Sequence, residues 1–250
     1  MEGFTPEEIA YETSHQNEDR GGLLIAISSV FTAAAVLCFI IRIVARRISQ
    51  SRINLDDYLS LGATISLIGV YTSALLTAKY GIGKHVLIVA QDPENFVNIG
   101  KSTIVLGIFY TLSMTLGKLS VLAFLNRIFS PSNRAIQIGV WIFSIYTIAW
   151  AIAQLLVYFL ECRPLSSNWG VPYQCVPPTW VWPTLGILNI VSDVGILVLP
   201  QLKIMRLHFS LPKKIGLCFV FMIGGLATGV SIARIPLFIN ANGADSVDFT

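Results

Sequence analysis

Asp193 lies inside a long apolar stretch of the chain, where an acidic residue is unusual. A carboxylate inside a membrane span is costly unless it is paired or protonated, so it counts as a functional-site hypothesis. Asn189 precedes it by four residues and would share its face of a helix. Lys118, in another apolar stretch, carries the opposite charge and could pair with Asp193. Lys118, Asn189 and Asp193 are therefore the predicted intramembrane polar site.

The depth of Lys118 and Asp193 supports this pairing. Both residues lie a few positions before the end of their apolar stretches, and the two stretches run in the same direction across the predicted membrane. Two interpretations remain open. The site is either a clamp that fixes helix packing, or a switch or ion-linked site that breaks on activation.

A second charged group combines Arg42 and Arg46 with Asp56 and Asp57 across a short connection. One interpretation is an ionic latch between two helix ends. The other is that the arginines anchor one helix at the lipid headgroups. In that case the aspartates begin the next helix, where the helix dipole favours negative charge.

Three more candidate groups lie in the connections between apolar stretches. They are the outer-loop residues Tyr80, Gly81, Gly83 and His85, the pair Cys162 and Cys175, and the basic residues Lys203, Arg206, Lys213 and Lys214. The first group is either a ligand contact at the mouth of a bundle or a plain interfacial turn. The cysteines form either a disulfide or two free thiols. The basic group offers positive charge to a partner or to anionic lipid.

No enzyme signature accompanies these groups in the sequence. His15, His85 and His208 are scattered over separate segments and have no metal-site spacing. A phosphate loop, a nucleotide fingerprint and a nucleophile elbow are also missing from the sequence. The chain is thus predicted not to be an enzyme and to use no cofactor or metal.

The elements that must position these residues are membrane spans. The chain has 54% hydrophobic and 12% charged residues and a mean hydropathy of +0.69, whereas soluble domains carry about 25% charged residues. A spanning helix needs about 20 apolar residues. Six stretches meet that length, at Leu23 to Ile43, Tyr58 to Thr77, Ile99 to Leu122, Ala135 to Leu160, Thr179 to Leu199 and Ile215 to Ile235. The predicted fold class is an all-α, polytopic transmembrane bundle.

The number of Lys and Arg residues alternates between high and low from one connection to the next. By the positive-inside rule, this alternation predicts which connections are cytoplasmic. Nine lie on one side: Arg46, Arg47, Arg52, Arg127, Arg134, Lys203, Arg206, Lys213 and Lys214. Arg20, Lys79, Lys84 and Arg163 lie on the other. The N-terminus is expected outside, and so is the connection with Cys162 and Cys175, where disulfides persist. The spread of this charge over short loops argues against nucleic-acid binding.

Several stretches, read in order, resemble the fungal rhodopsin-like domain family of integral membrane proteins. They are Arg42 to Arg46 with Asp56-Asp57-Tyr58-Leu59, Tyr80 to His85, Gly117-Lys118-Leu119-Ser120 with Asn126 to Phe129, Cys162-Arg163-Pro164 with Trp169, Asn189 to Asp193 with Leu199-Pro200, and Lys213 to Gly216 through to Ser231-Ile232-Ala233-Arg234. Their order and spacing make the match specific.

The resemblance implies GPCR-like architecture with seven spans and the N-terminus outside. The family includes fungal receptors of the pathogenesis type, which sense surface cues, and membrane proteins of the satratoxin-cluster type. The expected partners are therefore membrane lipid, a small-molecule or surface ligand and a cytoplasmic heterotrimeric G protein. The plasma membrane is the expected location. The alternative is a transporter or accessory protein of a secondary-metabolite gene cluster, with Asp193 as a proton or cation site. Retinal is not implied.

The expected organisation has three parts. Residues 1–22 form an extracytoplasmic tail, residues 23–236 form the transmembrane domain, and residues 237–250 are a C-terminal remnant. The sequence stops shortly after the sixth predicted span. We therefore expect six of seven spans, with the seventh helix missing.

Overall fold

The structure is a computed structural model that describes residues 21–50, 52–81, 93–129, 134–160 and 180–204, together with Gly229. Five α-helices account for nearly all of these residues, and no strand occurs among them. The helices are α1 (Gly21–Ile48), α2 (Leu55–Lys79), α3 (Pro93–Phe129), α4 (Arg134–Leu160) and α5 (Val181–Ile204). The protein is therefore an all-α helical bundle, as the sequence predicts.

Each of the five helices is long and apolar enough to cross a membrane. They contain the first four predicted spans and most of the fifth, since α5 begins at Val181 rather than Thr179. Of the sixth predicted span, 215–235, the structure describes Gly229 alone. Helices α1, α2 and α3 extend past the predicted bounds at both ends. With 37 residues and a rise of about 1.5 Å per residue, α3 is about 55 Å long. It thus projects beyond a hydrocarbon core of about 30 Å.

The short connection between α1 and α2 is defined by polar capping. Arg46 and Arg47 lie in the last turn of α1, where positive charge suits the helix dipole. Asn54 caps α2 in a capping box, in which the Asp57 side chain accepts a hydrogen bond from the Asn54 backbone at 3.2 Å. These caps fix where one helix ends and the next begins. We call this end of the bundle the α1–α2 end.

Neighbouring helices in the chain are also neighbours in space. The most extensive contact joins α2 to α3, followed by α3 with α4, α1 with α2, and α4 with α5. The apolar core joins α3, α4 and α5 near the α1–α2 end. Its buried members are Leu122, Leu125, Ile136, Val140, Ile196 and Leu199. Few apolar side chains are buried elsewhere in the described helices, which is expected for a bundle whose outer surface faces lipid.

Glycines let side chains of one helix enter the surface of the next. The Phe109 ring of α3 lies against Gly69 of α2, and the Phe143 ring of α4 lies against Gly195 of α5. A Cβ at either glycine would overlap the ring. Small residues at such positions allow close helix approach in lipid, where the hydrophobic effect does not drive association.

Helix α1 is the least buried of the five. Of its 28 residues, only Gly21 is buried. Ser29 contacts Tyr71 of α2 through a hydroxyl hydrogen bond of 3.0 Å, and further contacts come from the arginines near its end. These polar contacts join α1 to α2 beside a stripe of half-buried residues that includes Val36, Phe39 and Ile43.

Candidate functional site

Helices α3 and α5 meet at a group of polar side chains inside the bundle. We call Lys118, Asn189, Ser192 and Asp193 the core polar cluster. Lys118 comes from α3, and the other three residues come from a single face of α5. Because positions 189, 192 and 193 are three and four residues apart, one turn of helix presents them together.

The ammonium group of Lys118 has four oxygen neighbours in this cluster. Its Nζ lies 2.9 Å from Asp193 Oδ1 and donates to Asn189 Oδ1 and Ser192 Oγ, both at 2.6 Å. The backbone oxygen of Asn189 is 3.2 Å away. An ammonium has three protons to donate, so these acceptors satisfy it fully.

The α5 side chains are oriented by bonds among themselves. Ser192 Oγ donates to the Asn189 backbone oxygen at 2.6 Å, which leaves a hydroxyl lone pair for Lys118. The Asn189 amide nitrogen donates to Asp193 Oδ2 at 3.4 Å, while its oxygen faces Lys118. All four side chains thus hold complementary donor and acceptor roles.

Trp150 of α4 closes another side of the cluster. The Lys118 ammonium is 5.5 Å from the centroid of the Trp150 ring, within the range of a cation–π contact. The Trp150 indole nitrogen donates to the Leu185 backbone oxygen of α5 at 2.9 Å. Trp150 therefore joins α4 to the contact between α3 and α5.

The two members of the ion pair differ in exposure. The side chain of Lys118 is 9% exposed, whereas that of Asp193 is 25% exposed. One carboxylate oxygen of Asp193 carries the bond to Lys118, and the other has the long bond from Asn189. The acid, not the ammonium, is thus the accessible side of the pair.

Three side chains that end in a polar group follow one another along α4, starting at the core polar cluster. Trp150, Gln154 and Tyr158 are four residues apart and so lie on one face of the helix. Gln154 is buried. The Tyr158 ring packs against the Trp182 ring of α5, with centroids 5.2 Å apart. This face connects the core polar cluster with the end of the bundle opposite the α1–α2 end.

A second group of charges lies at the α1–α2 end. We call Arg42, Arg46, Asp56 and Asp57 the arginine–aspartate cluster. Asp56 Oδ2 is 2.7 Å from Arg42 Nη2 and 2.6 Å from Arg46 Nη2. Asp57 Oδ1 is 3.0 Å from Arg42 Nε and 3.3 Å from Arg46 Nε. Both aspartates are 2% exposed, so the arginines and aspartates form one interhelical ion-pair network.

Helix α3 contacts this network as well. Ser120 Oγ donates to the Asp56 backbone oxygen at 2.7 Å, and Arg42 lies 5.9 Å from the centroid of the Phe124 ring. Arg127 Nη1 is 3.8 Å from Asp56 Oδ1. Since Ser120 lies two residues from Lys118, the same stretch of α3 touches both clusters.

The structure thus brings together the predicted trio Lys118, Asn189 and Asp193. It also pairs the arginines with the aspartates. Sequence reasoning missed Ser192, Trp150 and Ser120. The signal for Ser192 was its position three residues after Asn189, on the face that carries Asp193. Trp150 and Ser120 had no such signal, because their contacts depend on how neighbouring helices are rotated.

The remaining predicted groups are described only in part. Tyr80 is the C-cap residue after α2, and Gly81 follows it with a φ of 113°, a conformation that suits glycine. The backbone of Lys203 lies in the last turn of α5. The rest lie outside the described residues: Gly83, His85, Cys162, Cys175, Arg206, Lys213 and Lys214. The predicted disulfide and basic group therefore stay predictions. Among the described residues, no three His, Cys, Asp or Glu side chains are grouped to hold a metal ion.

Comparison with known proteins identifies the family. The fungal rhodopsin domain matches residues 41–250 of the chain. The chain belongs to the fungal rhodopsin domain family. The match includes both clusters and all of α2 to α5. It confirms the resemblance seen in the sequence motifs, and it makes the chain a membrane protein of a multi-pass family.

Relatives of this fungal rhodopsin domain protein include proteins from biosynthetic gene clusters and a receptor. It is 26% identical over 87% of its length to the polyenoic acids biosynthesis gene cluster protein Ba17b of Metarhizium anisopliae, covering 60% of that protein. It is 25% identical over 83% of its length to the Wortmanamides biosynthesis cluster protein C of Talaromyces wortmannii, covering 58%. The chain is also 25% identical, over 90% of its length, to Receptor GIN3 of Arthrobotrys oligospora, and the match covers 55% of that receptor. The chain thus spans less than two thirds of these relatives, and no solved structure matches it.

Proposed function

We propose that this protein is a receptor-like, non-catalytic member of the fungal rhodopsin domain family, in which separation of Lys118 from Asp193 accompanies activation. The observation that carries the proposal is the ion pair between α3 and α5, which includes a partly exposed acid. A receptor needs a bistable contact that its ligand can bias. A charged pair inside a membrane span is suited to that role, because each partner is costly when left alone.

The arrangement of α3 supports a route from this pair to the other end of the bundle. Lys118 faces α5, while Ser120 bonds to the start of α2 at the arginine–aspartate cluster. A shift of α3 relative to α5 would therefore strain the Ser120 contact with Asp56. The relative Receptor GIN3 also favours a receptor role for this chain.

The orientation and partners belong to the same proposal. The distribution of Lys and Arg supports an N-terminus outside and an α1–α2 end in the cytoplasm, by the positive-inside rule. The arginine–aspartate cluster would then face a cytoplasmic signalling partner, for which a heterotrimeric G protein is the candidate. The plasma membrane is the proposed location, because a surface cue is received there.

Removal of the ion pair tests the receptor proposal. In membranes containing the full-length protein and its host's G proteins, Lys118→Met and Asp193→Asn should each raise basal GTP turnover. The exchange of charges in the double variant Lys118→Asp with Asp193→Lys should restore a low basal level. Surface abundance is measured alongside. Unchanged signalling at unchanged abundance in both single variants would reject the proposal.

A second candidate function is transport of a metabolite, or an accessory role in such transport. Two relatives are named as proteins of biosynthetic gene clusters, and Asp193 offers a carboxylate inside the bundle. A transporter would give pH-dependent metabolite flux into vesicles that Asp193→Asn abolishes. Agonist-dependent signalling without flux would instead support the receptor.

A further inference from the structure

We infer that the core polar cluster is an exchange site for a small monovalent cation, an alkali ion or a primary ammonium group, and that Lys118 occupies it as a tethered ammonium. This inference rests on the proposed function and extends it, because it names the chemical class of ligand that would separate Lys118 from Asp193.

The first argument is the surroundings of the ammonium. Its nitrogen lies between 2.6 and 3.2 Å from four oxygens, two from Asn189 and one each from Ser192 and Asp193. Trp150 presents its ring from a further side. A carboxylate, an amide, a hydroxyl and an aromatic face are the groups that recognise an ammonium ion. All four oxygens come from α5, so no other helix has to supply an oxygen when Lys118 moves away.

The charge of the shell selects the ion. The shell contains a single carboxylate, Asp193, and its other three oxygens are uncharged, so it balances one positive charge. The nitrogen-to-oxygen distances all exceed the roughly 2.0–2.1 Å at which oxygens bind Mg²⁺. A monovalent ion or a protonated primary amine fits this charge.

The exposure of the pair indicates that the incoming group is a cation. An anion would have to reach Lys118, which is enclosed by its acceptors and is 9% exposed. A cation would meet Asp193 first, which is 25% exposed and whose Oδ2 has, among the described residues, only the 3.4 Å bond from Asn189. The accessible charge is thus negative.

Because of Coulomb repulsion, an incoming cation would replace the Lys118 ammonium and would not bind beside it. A second cation within about 4 Å of the ammonium would be repelled strongly in a medium of low dielectric constant. The incoming cation must therefore replace the ammonium, and Lys118 acts as an internal competitor. Removal of that competitor should raise the affinity of the shell for free cations.

The test measures thermal unfolding of the full chain in lipid nanodiscs as cation is added. The probes are sodium, potassium, ammonium and methylammonium chloride, with tetramethylammonium chloride as the salt control. The Lys118→Met variant should gain about 5 °C or more at a cation concentration near 100 times the dissociation constant. Wild type should gain much less, and Lys118→Met with Asp193→Asn should gain nothing beyond the control.

Lys118→Gln provides a second variant, since it keeps a hydrogen-bond donor in place of the ammonium and should fold if Lys118→Met does not. A shift with alkali ions alone identifies the inorganic source, a shift with methylammonium alone identifies an amine, and either supports the site. No cation-specific shift in either variant overturns the inference. Stabilisation of wild type by acetate that is lost without Lys118 also overturns it.

This readout is independent of signalling. Cation-dependent stability without any change in basal signalling would reject the receptor proposal and keep the site. Altered signalling without cation-dependent stability would do the opposite.

Discussion

Lys118 and Asp193 form one ion pair, yet they are held differently. Lys118 is enclosed by oxygens of Asn189, Ser192 and Asp193 and by the Trp150 ring. Asp193 depends on Lys118 and on one long bond from Asn189. Loss of Lys118 would therefore leave a carboxylate with little support, whereas loss of Asp193 would leave an ammonium with three oxygen neighbours.

Ser192 contributes one of the two shortest bonds to Lys118, and Ser192→Ala removes it. We expect a loss of about 1 kcal/mol in unfolding free energy, or about 2–4 °C in thermal midpoint. Thermal unfolding of the purified chain measures it. Ser144→Ala is the matched control, because within the described part of the chain Ser144 bonds only to the Val140 backbone oxygen in its own helix. Equal effects of the two changes would show that the bond from Ser192 adds nothing.

The arginines near the end of α1 provide a second residue-scale prediction. Arg46 is 16% exposed and pairs with both aspartates, whereas its neighbour Arg47 is exposed. Arg46→Gln should cost about 2 kcal/mol, and Arg47→Gln should cost little. Denaturation of both variants in nanodiscs compares them. If headgroup anchoring were the main role of these arginines, both changes would have the same small effect.

At the scale of helices, packing depends on glycines that admit side chains of a neighbour. The Phe143 side chain packs against α5 at Gly195, Tyr158 packs against α3 at Gly107, and Leu199 packs against α4 at Gly139. Each contact fixes the rotation of two helices. Those rotations decide which polar residues of α3 and α5 face each other.

Gly195→Ala tests this packing. The added methyl group would overlap the Phe143 ring, and overpacking costs about 1–3 kcal/mol. Gly186→Ala on the same helix is the matched control, because a Cβ there would meet no other helix within 4 Å among the described residues. It should be neutral or stabilising by up to about 1 kcal/mol through helix propensity. Thermal midpoints in nanodiscs give both values, and equal behaviour of the two variants would contradict the packing argument.

The helices were predictable from the sequence to the extent that they are apolar. The first five runs appear as α1 to α5, because a membrane requires a continuous apolar helix. Most of their ends were predicted too short, since polar residues continue a helix beyond the lipid: α3 begins at Pro93 rather than Ile99. The end of α4 at Leu160 was predicted correctly, and α5 begins two residues later than predicted. Lys118 and Asp193 stood out because charges in spans are rare. Ser192 and Trp150 did not, since serine and tryptophan are ordinary residues there.

For the molecule as a whole, sidedness is the property that most affects function. The charge distribution predicts an outside N-terminus, and the sequence has no natural acceptor for N-glycosylation. Gly3→Asn would create one with Thr5, and His208→Asn would create one with Ser210. We expect the first variant, expressed in yeast, to gain an endoglycosidase-sensitive mass on a gel and the second to stay unmodified. The reverse pattern would contradict the predicted orientation. It would show that the N-terminus is cytoplasmic and that the arginine–aspartate cluster lies on the outer side.

The weakly buried α1 has a consequence for biogenesis. Asp56 and Asp57 lie in the first turn of α2, where an unpaired carboxylate at the edge of the membrane would be costly. Arg42 and Arg46 are synthesised just before them and lie within 3.3 Å of them in the folded protein. The arginines of α1 are thus available to pair with the acids as soon as α2 folds beside α1. The two helices would insert as a hairpin, and the arginines would assist membrane insertion before they stabilise the finished bundle.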